Sequence, residues 1–573
     1  MPAGTPPAAC YNRGMIHPLA FLQSLYNRTW RQGHFVGLVI GTIFLAESLT
    51  PSLLPRPYLV QGILSGIAAA VGYGIGVFLG WLWLYLEIPT PASNVRRWLE
   101  KITTAIVLLV AIYAFWKSAE WQNSIRALME MPPVETAYPV RVAAIALVTF
   151  AVLLLLARGI RRLFQSLDRQ VKRFVPRRIA NVASALLVAF GLLLVVNKVF
   201  VRLALDFADA TFTELDQLVD DGVEQPTNPN ASGSEESLVE WDDIGRRGKN
   251  FVVGGTTPAQ LAEFWGRPTE TPLRVYVGLA SRETPEERAE LALKELVRAG
   301  GFERSLLVIA TPTGTGWLDP GAVDTLEYLH AGDTAIVSTQ YSYLPSWVTI
   351  LVDPERSQVA ARTLFDEVYS HWRTLPKDDR PKLYLHGLSL GALGSEVSGD
   401  LFTVFEDPPQ GALWSGPPFP SVAWNRATQR RNPDSPMWLP RFRDGAMLRF
   451  TGRECSLAKA GQRWGSLRCV YIQHSSDPMC FFSPTLLYRA PPWLQGQRGP
   501  DVSPLLRWRP VVTFLQTAFD LPMATSVPFG YGHNYAPASY IDAWVEVTAP
   551  KDWTVEQTAK LKKLMSDRVP PTM

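Results

Sequence analysis

The sequence predicts an all-α transmembrane helical domain followed by an α/β domain, a mostly parallel sheet with helices on both faces. Three observations carry this. Five apolar runs crowd into the first 200 residues, more than the core helices of a soluble protein would supply. Beyond residue 245, short apolar segments with strand character alternate with helical patterns, the signature of a parallel sheet. One of those strands runs directly into Gly387-Leu388-Ser389-Leu390-Gly391, a small-residue turn that exposes a serine above a sheet.

Composition narrows the function classes. The 573 residues are 47% hydrophobic and only 19% charged, below the roughly 25% of a soluble protein. A net charge of +3 argues against a nucleic-acid partner, which would call for a strong basic excess. Four cysteines without a CxxC pair exclude a disulfide scaffold, a zinc ribbon and a thioredoxin-type site.

The apolar runs are Phe35–Leu54, Leu59–Leu86, Ile102–Trp116, Val142–Ala157 and Ile179–Val196. A spanning helix needs about 20 residues, so the third and fourth must borrow flanking residues such as Trp98 and Pro139. Glu47 is the one acid inside a span. It is read either as an interfacial acid where the helix breaks before Pro51 or as a functional carboxylate. Fourteen basic residues fall on one side of a five-span arrangement (the N-terminal segment, Arg96 to Lys101 and the loop Arg158 to Arg178) and four on the other. Basic loops face the cytoplasm, so the chain after the fifth span is expected outside it. Segment 206–245 follows, with twelve acids and no Lys or Arg between 206 and 243, and reads as a solvated linker.

In the second half, Arg274–Ser281, Ser305–Ala310, Thr334–Thr339, Lys382–His386, Ala412–Ser415 and Arg468–His474 read as strands. Thr284 opens a helix, with Pro285 at its first position and Glu287 completing a capping box. Another helix covers about Glu355–Leu375. The expected domains are 1–33 (cytoplasmic segment), 34–205 (about five spans), 206–245 (linker), 246–555 (catalytic domain) and 556–573 (tail).

A serine hydroxyl needs a base. Among seven histidines, only His533 lies far downstream, in the glycine loop Phe529-Gly530-Tyr531-Gly532-His533-Asn534-Tyr535. The acid should follow a strand between the two, and Asp477 follows Arg468–His474 directly. Asp400 and Glu396 lie too near the elbow. His386 and His474 sit in strands and read as structural. The Leu390 N–H supplies one oxyanion donor by position, and Thr313 or Gly314 in the loop after Ser305–Ala310 is the second. Tyr341, Tyr343 and Trp317 are the expected substrate-contacting residues. Trp347 and Trp493 are further aromatics for an apolar mouth, and ordinary core packing is the competing reading for each. The disulfide state of Cys455, Cys469 and Cys480 stays open.

Several longer stretches carry a family resemblance. They are Ser48-Leu49-Thr50-Pro51-Ser52-Leu53-Leu54-Pro55-Arg56, Ala310-Thr311-Pro312-Thr313-Gly314-Thr315-Gly316-Trp317, Gln340-Tyr341-Ser342-Tyr343-Leu344-Pro345-Ser346-Trp347, Gly387–Gly391, Gln473-His474-Ser475-Ser476-Asp477-Pro478 and Gly530-Tyr531-Gly532-His533. The chain resembles bacterial integral-membrane α/β-hydrolases that join a multi-spanning N-terminal domain to a C-terminal α/β-hydrolase domain. The resemblance covers nearly the whole chain. It implies a serine hydrolase at Ser389 with Asp477 and His533, in the bacterial cytoplasmic membrane. It further implies membrane lipids as partners and an aminoacyl-phosphatidylglycerol-like ester as substrate. No cofactor and no metal are expected. An acyltransferase using the same acyl-enzyme, and a non-enzymatic scaffold or transporter with an inert hydrolase-like domain, are the competing readings.

Overall fold

A computed structural model describes residues 34–172, 216, 218–398 and 406–568. Among these the chain divides into two compact units, and each is discontinuous. The first takes 34–50, Pro57–Glu120 and Glu135–Gly159. The second takes Pro51–Arg56, Trp121–Val134 and the described residues from Ile160 on.

The first unit is helical. Its elements are α1 (His34–Ser48), α2 (Tyr58–Tyr85), α3 (Ser93–Arg126) and α4 (Pro139–Val171), the last two running on beyond the unit. The helices α2, α3 and α4 are long and apolar enough to cross a membrane. The short third and fourth runs do borrow their flanks, since α3 takes in Trp98 and α4 begins at Pro139. The first run is not one helix. α1 stops at Ser48, and the chain then turns through Pro51 and Pro55, which cannot continue a helical ladder. The fifth run, Ile179–Val196, lies outside the described residues. Small residues set the packing here. A Cβ on Gly66 would overlap Thr149 of α4, and one on Gly76 would stand 2.6 Å from the Val36 carbonyl of α1, so α2 meets both neighbours backbone to backbone. Gln61 fixes the polar interior, its Nε2 donating to the Ser48 carbonyl at 3.0 Å and to Ser65 Oγ at 2.9 Å. On α3 and α4, Leu109, Ile112, Leu147 and Leu155 are exposed, as lipid-facing side chains are.

The second unit is built on a seven-stranded sheet. Its helices and strands in chain order begin with α5 (Arg246–Val253), α6 (Pro258–Trp265), β1 (Leu273–Val277), α7 (Pro285–Arg298), β2 (Leu306–Thr311), α8 (Pro320–Leu329), β3 (Thr334–Thr339), α9 (Ser346–Val352), α10 (Glu355–Thr374), β4 (Lys382–Leu388) and α11 (Leu390–Ser395). After these come β5 (Gly411–Ser415), α12 (Val422–Gln429), β6 (Leu448–Thr451), β7 (Arg468–Ile472), α13 (Pro478–Phe481), α14 (Val512–Asp520), α15 (Pro537–Thr548) and α16 (Val555–Arg568). The strand order is β1-β3-β2-β4-β5-β7-β6, and every neighbouring pair is parallel. Strands β1, β2 and β3 are buried at every position. They therefore read as continuous apolar runs rather than alternating ones, because both faces are covered. The capping box of Thr284 and Glu287 starts α7 as expected, and Gly300 follows its end in the left-handed region.

Four differences from the sequence reading matter. The strand predicted over Arg274–Ser281 ends at Val277, and Leu279–Ser281 turn instead. Strand β6 was not anticipated. It is a four-residue edge strand with Arg449 in its middle, too short to show a period. The described part of the expected linker is not solvated throughout. The carboxylate of Glu295 accepts from the Ser237 hydroxyl at 2.7 Å and the Leu238 N–H at 3.0 Å, which seats this stretch on α7. The expected tail holds helix α16, with Leu561 and Met565 buried.

Candidate active site

The site is assembled at the carboxyl ends of β4, β5 and β7, where an open parallel sheet places ligands. Strand β4 ends at Leu388 and α11 begins at Leu390, so Ser389 alone makes the turn. Its backbone sits at φ 59°, ψ −124°, a conformation a non-glycine residue holds only when its surroundings impose it. Two glycines impose it. A Cβ on Gly387 would overlap the Gly391 backbone, and one on Gly391 would overlap the Thr311 carbonyl. The Ser389 N–H donates to the Ser415 carbonyl at 3.0 Å, which ties the turn to β5. Leu390 is the first residue of α11, so its N–H has no acceptor within that helix.

His533 approaches from a loop bent by Gly530 (φ 90°) and Gly532 (φ 52°). Its own N–H donates to the Ala524 carbonyl at 2.7 Å. Its ring lies against Gly416, with Nδ1 so close that a Cβ there would stand 2.8 Å from it. Gly416 directly follows Ser415, the residue bonded to Ser389, so histidine and serine flank the same backbone. His533 Nε2 and Ser389 Oγ are both buried, and neither has a hydrogen-bond partner among the described residues. The bond between them is therefore not closed in this conformation; such bonds commonly tighten only when substrate binds.

Asp477 lies in the turn after β7 and caps α13, its Oδ1 accepting from the Met479 N–H at 2.8 Å. Its Oδ2 accepts from His533 Nδ1 at 2.7 Å, from the Tyr535 hydroxyl at 2.7 Å and from Cys480 Sγ at 3.4 Å. Burial alone would raise this carboxyl, but the His533 charge and the donated hydrogen bonds outweigh it and hold it below the usual range. Serine, histidine and aspartate thus stand in the order and the surroundings of a nucleophile, base and orienter.

The structure places the other expected residues less uniformly. Thr313 and Gly314 do sit in the loop after β2, but both N–H groups are engaged. Thr313 donates to the Trp317 carbonyl at 2.9 Å and Gly314 to Ser346 Oγ at 3.0 Å. Neither offers a free second oxyanion donor in this conformation, because the loop closes on itself and on α9. Tyr341 is buried and donates to the Pro312 carbonyl at 3.1 Å, bracing that same loop; it also lines a cavity of about 640 Å³ with Arg282, Arg288 and Val359. Tyr343 is half-buried, and Trp317 packs against the main core. Trp347 is exposed, whereas Trp493 is a buried core residue bonded to the Phe481 carbonyl.

His386 is a packed strand residue. Its Nδ1 faces the Leu413 carbonyl at 2.8 Å, and burial pushes it down to about 4. His474 faces the Gly532 carbonyl at 2.9 Å and stacks on Tyr535, with centroids 4.4 Å apart. Glu396 caps the carboxyl end of α11 and makes no contact with His533 among the described residues. Burial pushes its carboxyl up to about 7, and neither oxygen closes a hydrogen bond among the described residues despite facing Tyr471 and Ser421. Asp400 lies outside the described residues. Cys455, Cys469 and Cys480 are free thiols. No cluster of metal-ligating side chains occurs among the described residues.

Two supporting groups escaped the sequence reading. Tyr535 was read only as part of the glycine loop, and Asp501 lies in a stretch without periodicity. Asp501 accepts from Ser475 Oγ and, at 2.5 Å, from Ser476 Oγ, which in turn accepts from the Gly532 N–H at 2.9 Å. No sequence spacing signals either role.

A family model described as "Alpha/beta-hydrolase family" matches residues 273–561, and one described as "Alpha/beta-hydrolase family N-terminus" matches residues 49–256. No curated protein and no solved structure matches the chain.

Proposed function

Since the chain belongs to this alpha/beta-hydrolase family, we propose that it is a membrane-anchored serine ester hydrolase that forms an acyl-enzyme on Ser389. The observation that carries the reading is the 2.7 Å contact of His533 Nδ1 with Asp477, beside a serine held in a left-handed turn. His533 Nε2 takes the Ser389 proton as the oxygen attacks the ester carbonyl. The negative charge on the carbonyl oxygen is met by the Leu390 N–H. His533 then returns the proton to the leaving alcohol, and water repeats the sequence on the acyl-enzyme. Asp477 holds the ring and stabilises its charged form. The second oxyanion donor becomes available when the Thr313–Gly314 loop shifts off Trp317 and Ser346.

The substrate in this reading is a lipid or aminoacyl-lipid ester. Three helices of spanning length on the same chain hold the site near lipid headgroups at high effective concentration. Loop charge supports an extracytoplasmic site. The basic residues Arg96, Arg97 and Lys101 and those of the loop Arg158 to Arg178 fall on one side of the five-span arrangement, which the charge rule makes cytoplasmic.

Labelling by a fluorophosphonate tests the chemistry. The wild type is expected to label, and Ser389→Ala and His533→Ala to lose labelling. A wild type that stays unlabelled in several detergents would favour the inert-scaffold reading. Product analysis with and without a lipid acceptor separates hydrolysis from acyl transfer.

A further inference from the structure

Resting on the reading of His533 as the base, we propose that the segment Pro51–Arg56 is a clamp that positions His533, with Asp520 as the residue it grips. This segment lies between two apolar helices in sequence, yet it belongs to the compact unit of the sheet. Leu53 and Leu54 are 1% and 0% exposed and share an apolar cluster with Ile125, Met129, Phe481 and Tyr531. Three polar groups of the segment converge on Asp520. Ser52 Oγ donates to Oδ1 at 3.1 Å, the Leu53 N–H donates to Oδ2 at 3.2 Å, and Arg56 Nε lies 3.3 Å from Oδ1. Both members of the Arg56–Asp520 pair are fully buried. The Arg56 N–H is itself fixed by Gln122 Oε1 at 2.9 Å.

Asp520 is the last residue of α14. The chain then turns through Leu521–Met523 to Ala524, whose carbonyl accepts the His533 N–H. Three residues further, the Val527 carbonyl accepts from the Asn534 side chain at 2.9 Å. Leu54 completes the grip from the other side, since a Cβ on Gly532 would stand 3.2 Å from its Cδ2. The loop that carries the base is thus held between Asp520 and Leu54. A buried ion pair is a weak source of stability but a specific device for fixing one arrangement. Arg56 and Asp520 act here as positioning residues, because neither touches Ser389 or His533.

The test is the fluorophosphonate labelling rate of the full-length protein in detergent. Asp520→Ala removes every acceptor, while Asp520→Asn keeps one oxygen for Ser52 or Leu53. Asp520→Ala is expected to label about tenfold more slowly than wild type, with Asp520→Asn between them. In a His533→Ala background, where residual labelling is read after long incubation, Asp520→Ala should cause no further slowing, because its effect runs through a base that is gone. Labelling of Asp520→Ala within about threefold of wild type overturns the proposal. Equal slowing in both backgrounds also overturns it, since Asp520 would then support the fold alone. If Asp520→Ala is not recovered as a folded protein, Asp520→Asn is judged by the same two criteria. Ser389→Ala reports separately on the underlying reading: labelling like wild type there would remove the nucleophile, whatever Asp520 does.

Discussion

One oxygen of Asp477 faces both His533 Nδ1 and the Tyr535 hydroxyl, each at 2.7 Å. A carboxylate oxygen that shares its charge between two donors offers less of it to either. Removing the phenol costs the Asp477 carboxylate one of its donors and loosens its placement against His533. Tyr535→Phe is therefore expected to label about tenfold more slowly than wild type. The labelling rate reads it, and an unchanged rate would show that Tyr535 only packs. The stacked His474 ring holds Tyr535 in register from behind. None of this was legible in the sequence, where an aromatic two residues past a histidine has no distinguishing feature. The placements of Ser389, His533 and Asp477 were legible, because each follows from a strand end or a glycine loop. Thr313 and Gly314 were legible as a loop, but the acceptors that engage their N–H groups come from Trp317 and from Ser346 on α9, and loop partners are set in three dimensions.

At the scale of elements, the strand β4, the turn and α11 form one rigid device. Its tolerance is set by the close approach of Gly391 to the end of β2. Gly391→Ala would press a methyl group into the Thr311 carbonyl, which neither strand nor helix can yield without moving Ser389. That variant is expected to lose more than about 90% of labelling and to melt earlier in a thermal scan, as overpacking of a close contact costs about 1–3 kcal/mol. Full labelling would mean the elbow is softer than its contacts imply. Helix and strand identities in this unit were largely readable, since fully buried parallel strands show as short apolar runs between caps. Edge strand β6 was not, and the acidic stretch before α5 was misread because Glu295 supplies a partner that composition cannot reveal.

At the scale of the whole molecule, sidedness is the property most open to test. Cys455 is exposed in the unit of the sheet, and Cys10 lies in the N-terminal segment. With the other cysteines replaced by serine, a membrane-impermeant maleimide applied to intact cells is expected to label Cys455 and to spare Cys10. The reverse pattern would invert the orientation and place the site in the cytoplasm. Membership in the alpha/beta-hydrolase family spans both units, in keeping with a sheet unit that draws Pro51–Arg56 and Trp121–Val134 out of the helical region.

The order of the chain by itself determined that apolar helices precede a parallel sheet, which serine and acid stand at strand ends, and which histidine stands in a glycine loop. Those features are local: they depend on side-chain periodicity, caps and turn residues within a few positions of one another. Tertiary structure alone decided that a stretch between two apolar helices ends on Asp520, and that a tyrosine and a second aspartate brace the loop of His533. These groups are hundreds of residues apart or lack any pattern. Only burial, which forces each polar atom to find a partner, brings them together.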